Sequence, residues 1–253
     1  MHRSQHQSQL KISNTDLLDW YARPLGQMLA AAERKALDQL LPDLFGYHLL
    51  QLGDHGDPNL CAGTRISHRV TLGHSSSHPL GAEADAARLP IANESADVCV
   101  LPHTLEFHSD PHAILREVER VLIPEGHIVI LGFNPWSSWG LMRVLLAWRH
   151  RMPWQGTYFS SARVADWLNV LGFDIHSTHR LFFRPPMQHQ TSMQKIAFFD
   201  KVGRYLPVGN AAYVVIATKR ISTLTPIIPR WRSEPKLANG GLVEPSTRGM
   251  TNE

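Results

Sequence analysis

Apolar residues recur at helical spacing through TDLLDWYARPLGQMLAAAERKALDQL, residues 15 to 40, with Thr15 or Asp16 placed to cap the first turn and Pro24 interrupting it. The period then changes. HLLQLG, residues 48 to 53, is a short apolar run closed by Gly53 and Asp54, the pattern of a strand buried on both faces. RISHRVTLG (65 to 73) has strand composition, ADVCVLPHTL (96 to 105) has it more strongly, and GHSSSHPLG (73 to 81) reads as the loop between them. Ser109-Asp110-Pro111 starts a helix by placing a capping side chain before a proline, and Ala113, Ile114, Val118, Val121 and Leu122 continue it. Pro124-Glu125-Gly126 stops it, and HIVILGF (127 to 133) is the next strand. Strand, helix and strand alternating in this way predict a parallel sheet with crossover helices. Residues 160 to 171 then read as a helix capped by Ser160 or Ser161, 173 to 183 as a strand, 193 to 206 as a helix, and NAAYVVIATKR (210 to 220) as the last strand. Beyond Arg220, residues rich in Pro, Gly, Ser and charge without periodicity predict a disordered tail over 221 to 253.

A chain of 253 residues, 43% hydrophobic, fits one large α/β domain. The longest apolar runs, Leu141 to Trp148 and Tyr213 to Ala217, fall short of the roughly 20 residues that span a bilayer. MHRSQHQSQL at the start lacks the apolar stretch of a secretory signal, so a cytoplasmic protein is expected. Cys61 and Cys99 are too few for a disulfide framework and are not in metal-ligand spacing, which agrees with a reducing compartment. Charge is uneven: residues 1 to 124 hold 10 Lys/Arg against 15 Asp/Glu, and residues 125 to 253 hold 15 against 7. The basic half suits an anionic substrate or a membrane surface, with nucleic acid the weaker expectation.

The stretch from Asp85 to Pro135, DAARLPIANESADVCVLPHTLEFHSDPHAILREVERVLIPEGHIVILGFNP, resembles the class I S-adenosylmethionine-dependent methyltransferases, in particular their type 11 group. The likeness rests on an Asp-Ala-x-x-Leu-Pro element at Asp85 to Ile91, a Ser-x-Asp strand at Ser95 to Val98, the helix Leu115-Arg116-Glu117-Val118-Glu119-Arg120-Val121-Leu122, and Pro124 to Ile130. It implies a Rossmann-like α/β fold over 46 to 220, with a seven-stranded, mostly parallel sheet and an antiparallel strand near its edge. Residues 1 to 45 would be a helical extension, and 136 to 158 a substrate lid. It implies S-adenosylmethionine as cofactor over the strand ends, with the Asp85 carboxylate accepting from the adenine amino group and Ala86 beside the ring.

The family has an acid followed by three alternating glycines after its first strand, because glycines let backbone pass close to the cofactor. Here Gln51 stands for the acid, Gly53 for the first glycine, His55 for the second and Asp57 for the third, with Gly56 one position early. Pro58 and the short span to Arg65 leave little room for the helix that normally follows, and Gly73-His74 stand where an acid normally holds the ribose. Gln51 or Asp54 would then take over those hydrogen bonds.

LPHTLEF puts His103 and Glu106 where cofactor and acceptor meet, and the near-neutral pKa of a histidine makes His103 a candidate base with Glu106 beside it. Asn134, in a Phe-Asn-Pro turn, is a candidate acceptor contact. So are Trp136, Trp139 and Arg143 in WSSWGLMRVLLAWRHRMPW, which would present an apolar and cationic surface to an amphipathic acceptor. His103, His108 and His112 cluster in sequence, but no cysteine or carboxylate completes a ligand set, and no metal is expected. Two functions compete. One is methyl transfer to a small or amphipathic acceptor by direct displacement; the other is an inactive methyltransferase-like protein that uses its basic half to bind a partner or nucleic acid.

Overall fold

The computed structural model describes residues 14–53, 55–73, 81–146, 152–183 and 209–220. The chain opens with α1 (Asn14–Tyr21) and α2 (Pro24–Leu40), and Pro24 is the first residue of the second helix rather than a kink within one. Strands β1 (His48–Leu52), β2 (His68–Gly73), β3 (Gly81–Glu83) and β4 (Ala96–Pro102) follow, then α3 (Pro111–Val121) and β5 (Leu122–Phe133). The rest comprises α4 (Ser138–Leu146), α5 (Ser161–Val170), β6 (Phe173–Leu181) and β7 (Ala212–Lys219).

All seven strands form one sheet in the order β3-β2-β1-β4-β5-β7-β6. β1 lies parallel to both β2 and β4, with Leu50 opposite Val70 and Cys99, while β7 runs antiparallel between β5 and β6. The order reverses between β1 and β4, because the chain moves outward through β2 and β3 and then returns to the far side of β1. Sheets of this kind bind ligands outside the strand ends at such a reversal. β7 is buried along its whole length, as its unbroken apolar run implies, whereas β6 at the edge alternates with an exposed face.

Successive residues of β1 feed opposite faces. Leu50 and Leu52 join the core beneath α3 and α5, with Ile114, Leu115, Val118, Val164 and Leu168. Leu49 joins Val98, Val100 and Val129 under the end of α2, with Leu37 and Leu41. Between β1 and β2 residues 58–63 form only turns, in keeping with the short span, and Leu60 and Cys61 plug that face.

The family-like motifs act first as joints. Asp110 caps α3 by accepting from the Ala113 N–H (3.0 Å), and Ser160, not Ser161, caps α5. The Asp97 carboxylate accepts from the N–H groups of Tyr47 (3.0 Å) and His48 (2.8 Å), pinning the start of β1 to β4. Glu117 accepts from the Leu89 N–H (2.7 Å), and Arg120 donates to the Leu89 and Ile91 carbonyls, which ties the Leu-Pro element to α3. The buried Lys219 ammonium caps the end of α3 through the Glu119 and Leu122 carbonyls.

Several expected boundaries shift. β4 ends at Pro102 rather than 105, because His103 adopts a left-handed backbone (φ 53°), and β6 ends at Leu181 before left-handed Phe182 (φ 53°). β5 begins at Leu122, with Pro124-Glu125-Gly126 forming an irregularity where pairing jumps from Ala96↔Leu122 to Val98↔His127. β3 went unread because three partly exposed residues carry no periodic signal. The helix expected at 193 to 206 and the tail beyond 220 lie outside the described residues, and among those described no helix is long and apolar enough to cross a membrane.

Candidate functional site

At the reversal, a narrow cavity is lined by Leu17 of α1, Gly53, Leu72 and Gly73 at the ends of β1 and β2, Ala84 and Ala86, and residues 102 to 104 and 107 to 108 after β4. Gly53 has φ 100°, which glycine adopts without strain, and its N–H donates to the Leu72 carbonyl (2.7 Å). In front of it stands Thr104, whose hydroxyl donates to the Leu52 carbonyl; a Cβ on residue 53 would lie 2.7 Å from the Thr104 Oγ1.

Behind the cavity wall is a network of buried charge that joins three parts of the chain. Glu33, on the buried face of α2, accepts from His103 Nε2 through Oε1 (2.7 Å) and from His55 Nε2 through Oε2 (2.8 Å). Tyr21 of α1 donates to the same Oε2 at 3.4 Å. His103 Nδ1 faces Glu106 (2.8 Å), whose other oxygen accepts from the Phe133 N–H at the end of β5. Glu33, His55, His103 and Glu106 are all at most 5% exposed.

The tautomers follow from the partners. His55 Nδ1 accepts from the Asp57 N–H (3.1 Å), so its proton sits on Nε2 toward Glu33. His103 has a carboxylate on each nitrogen, so both donate and the ring is an imidazolium. Burial alone would lower the His103 pKa, but Glu33 and Glu106 outweigh it and hold the ring up at about 10. Burial would likewise raise Glu33, yet His103 and His55 bring it down to about 2. As arranged, His103 has no lone pair with which to take a proton from an acceptor.

The structure brings Gly53, Ala86 and His103 to one cavity. Asp85 is not among the lining residues; its half-exposed carboxyl accepts from the Ala87 N–H (3.0 Å) through Oδ1, which lies 3.5 Å from Nε2 of the lining residue His108. Gln51 is turned away, bonded to the Cys61 thiol and the Gly53 carbonyl and lining a separate recess with Asn59 and Arg69. Gly56 makes room for the chain itself: a Cβ there would lie 2.1 Å from the Tyr21 Cβ. Asp54, Trp148, Arg149 and Arg151 lie outside the described residues.

None of the four expected acceptor contacts is among the residues lining the cavity. Trp139 is fully buried and stacked on Phe133 (centroids 5.6 Å apart, planes 15°), so it belongs to the core. Asn134 accepts from the Trp136 N–H and donates to Asn210 (each 3.0 Å), which makes it a turn former. Trp136 is 74% exposed, and Arg143 donates to the Gly156 carbonyl with its guanidinium 5.4 Å from the Tyr158 ring. Sequence reasoning missed Glu33 and Tyr21. The available signal was a carboxylate on the Leu25, Leu29, Leu37 stripe of α2, a position that demands a partner.

A family model described as a methyltransferase domain matches residues 45–130, which carry both sides of the strand reversal. The uncharacterized protein YafS of Escherichia coli (strain K12) is 32% identical over 206 residues, 81% of this chain and 82% of YafS. The chain belongs to the class I S-adenosylmethionine-dependent methyltransferases. A methyltransferase of this cofactor class from Thermotoga maritima has the same fold, with a TM-score of 0.59 and 19% identity across 80% of this chain and 94% of its own. Demethylmenaquinone methyltransferase of Chlamydia pneumoniae is 38% identical over 52 residues, 21% of this chain and 23% of that protein.

S-adenosylmethionine is the methyl donor of this family, and the lining suits an adenine in chemistry: Leu72, Ala84 and Ala86 give apolar walls, with the Asp85 carboxylate beside the lining residue His108. The enclosed volume is about 50 Å³, against roughly 300 Å³ for small ligand pockets, so the cavity as arranged is too small for the whole cofactor.

Proposed function

We propose that this methyltransferase carries out direct displacement of a methyl group onto a small or amphipathic acceptor. The observation that carries the reading is the cavity at the strand reversal, lined by Gly53 and Ala86 and by His108, whose Nε2 lies 3.5 Å from the Asp85 carboxylate. When bound, the cofactor supplies an electrophilic methyl on a sulfonium. Asp85 would accept from the exocyclic amine of the adenine and Gly53 would permit close backbone approach, with Phe107 lining the same cavity. His103 and Glu106 hold the end of β4 against α2 and β5, and the reaction proceeds by alignment of an acceptor that is already nucleophilic. The local likeness to demethylmenaquinone methyltransferase is in keeping with an amphipathic acceptor.

The crowding of Gly53 by Thr104 favours a second reading, a binding protein without transfer activity whose basic half engages its partner. Thermal unfolding with increasing S-adenosylmethionine or S-adenosylhomocysteine separates the two. Cofactor at about 100 times its Kd adds roughly 2.7 kcal/mol, seen as a rise of about 5–10 °C. No shift at millimolar cofactor rejects the transferase and selects the binding protein.

A further inference from the structure

α4 turns an apolar face outward. Trp136, Leu141 and Val144 are 74%, 63% and 70% exposed, and Leu145 is 56% exposed. Leu141, Val144 and Leu145 fall at i, i+3 and i+4 and form one stripe, while Trp139 and Gly140 anchor the opposite side in the core. Residues 136 to 156 contain no Asp or Glu, and they contain Arg143, Arg149 and Arg151. Exposed Trp and Leu beside cations without any carboxylate is the chemistry of a helix that lies in a membrane interface.

We propose that α4 is a docking element that seats on anionic phospholipid. A second copy of the chain suits the face less well. The four side chains expose roughly 500 Å², short of the roughly 800 Å² per partner that a stable dimer buries, and twofold pairing through α4 would bring the two copies of Arg143 toward each other. An anionic headgroup layer instead answers the positive charge that the sequence of residues 136 to 156 carries without an acid, and takes up the indole and leucines. The location gives docking a consequence. Arg143 donates to the Gly156 carbonyl, Gly156 lies against the Phe107 ring, and Phe107 lines the cavity, so a seated α4 brings the cavity close to the headgroups. Docking itself does not depend on methyl transfer, and each stands or falls alone.

The test is sedimentation of the full chain with vesicles of phosphatidylcholine containing about 30% phosphatidylglycerol, and with phosphatidylcholine alone, at low and high salt. The chain is expected to sediment with the anionic vesicles at low salt and to release at high salt. Arg143→Gln should weaken binding about fivefold, and Leu141→Glu with Val144→Glu should abolish it while leaving the unfolding midpoint near that of the parent, since both side chains are exposed. Failure of the parent chain to bind anionic vesicles at low salt overturns the proposal. So does full binding by the double variant, or equal binding to both vesicle types. A parent chain that runs as a dimer and ignores vesicles, with a monomeric double variant, overturns it in favour of the second copy.

Discussion

Replacing Glu33 with alanine removes the one group that joins α2 to both histidines, and the geometry sets the cost. Glu33 accepts at 2.7 Å from His103 and at 2.8 Å from His55, with neither carboxylate nor rings more than 5% exposed. Removing one partner of a buried charged pair costs about 3–5 kcal/mol. In a chain of this size that is a fall in Tm of about 10 °C. Glu33→Gln should cost about 1–3 kcal/mol, because its carbonyl still accepts from His103 while its amide faces the Nε2–H of His55. The pH dependence is more specific than the loss itself. His103 is raised from 6.5 to about 10, so its contribution is complete below pH 6.5 and drains away as pH rises toward 10. Glu33 is lowered from 4.5 to about 2, so its contribution is complete above pH 4.5 and is lost as pH falls toward 2. The network is at full strength between those ordinary values. Urea unfolding from pH 5 to 9 checks this: between pH 7 and 9 the parent chain should lose roughly 2 kcal/mol more than Glu33→Gln. Parallel pH profiles, or a Glu33→Ala chain within about 1 kcal/mol of the parent at pH 6, would refute the assignment of a paired carboxylate.

Other substitutions address the neighbouring parts. Gly56→Ala should lower stability by about 1–3 kcal/mol through overlap with Tyr21; if the glycine instead serves the cofactor, cofactor affinity will fall with the unfolding midpoint unchanged. Asp85→Ala should weaken S-adenosylmethionine binding about tenfold by calorimetry, with little change in stability because the carboxyl is half exposed. Glu117→Ala removes the acceptor of the Leu89 N–H and the partner of Arg120, and should cost about 1–2 kcal/mol in urea unfolding at pH 7. Arg120 holds the Glu117 carboxyl below its ordinary range, so this contribution should fade as pH drops through that range.

The sheet was legible where short-range rules carry it. The Asp110-Pro111 cap and the unbroken apolar β7 each rest on a few consecutive residues, and each lies where the sequence places it, whereas Pro124 to Gly126 falls within β5 instead of before it. The cavity residues Gly53, Ala86 and His103 could be placed because the strand ends could be placed. The chemistry of His103 could not be. Its charge is decided by Glu33, 70 positions earlier, and no local pattern links a carboxylate on α2 to an imidazole after β4. Trp139 shows the same limit: an indole on a short helix reads equally well as lid or core, and the Phe133, Trp20, Trp154 and Phe182 rings packed against it settle the choice.

Tyr21 against Gly56, and Glu33 between His55 and His103, place the mould for the loop after β1 in chain that comes before residue 45. A polypeptide begun at residue 45 would keep all seven strands and the whole family match, yet leave His103 with one counter-ion and the loop with nothing to close upon. Residues 14 to 44 are thus expected to act toward the rest as the missing piece of a split protein, and the smallest part of this chain expected to fold by itself starts upstream of residue 45, where the family match begins.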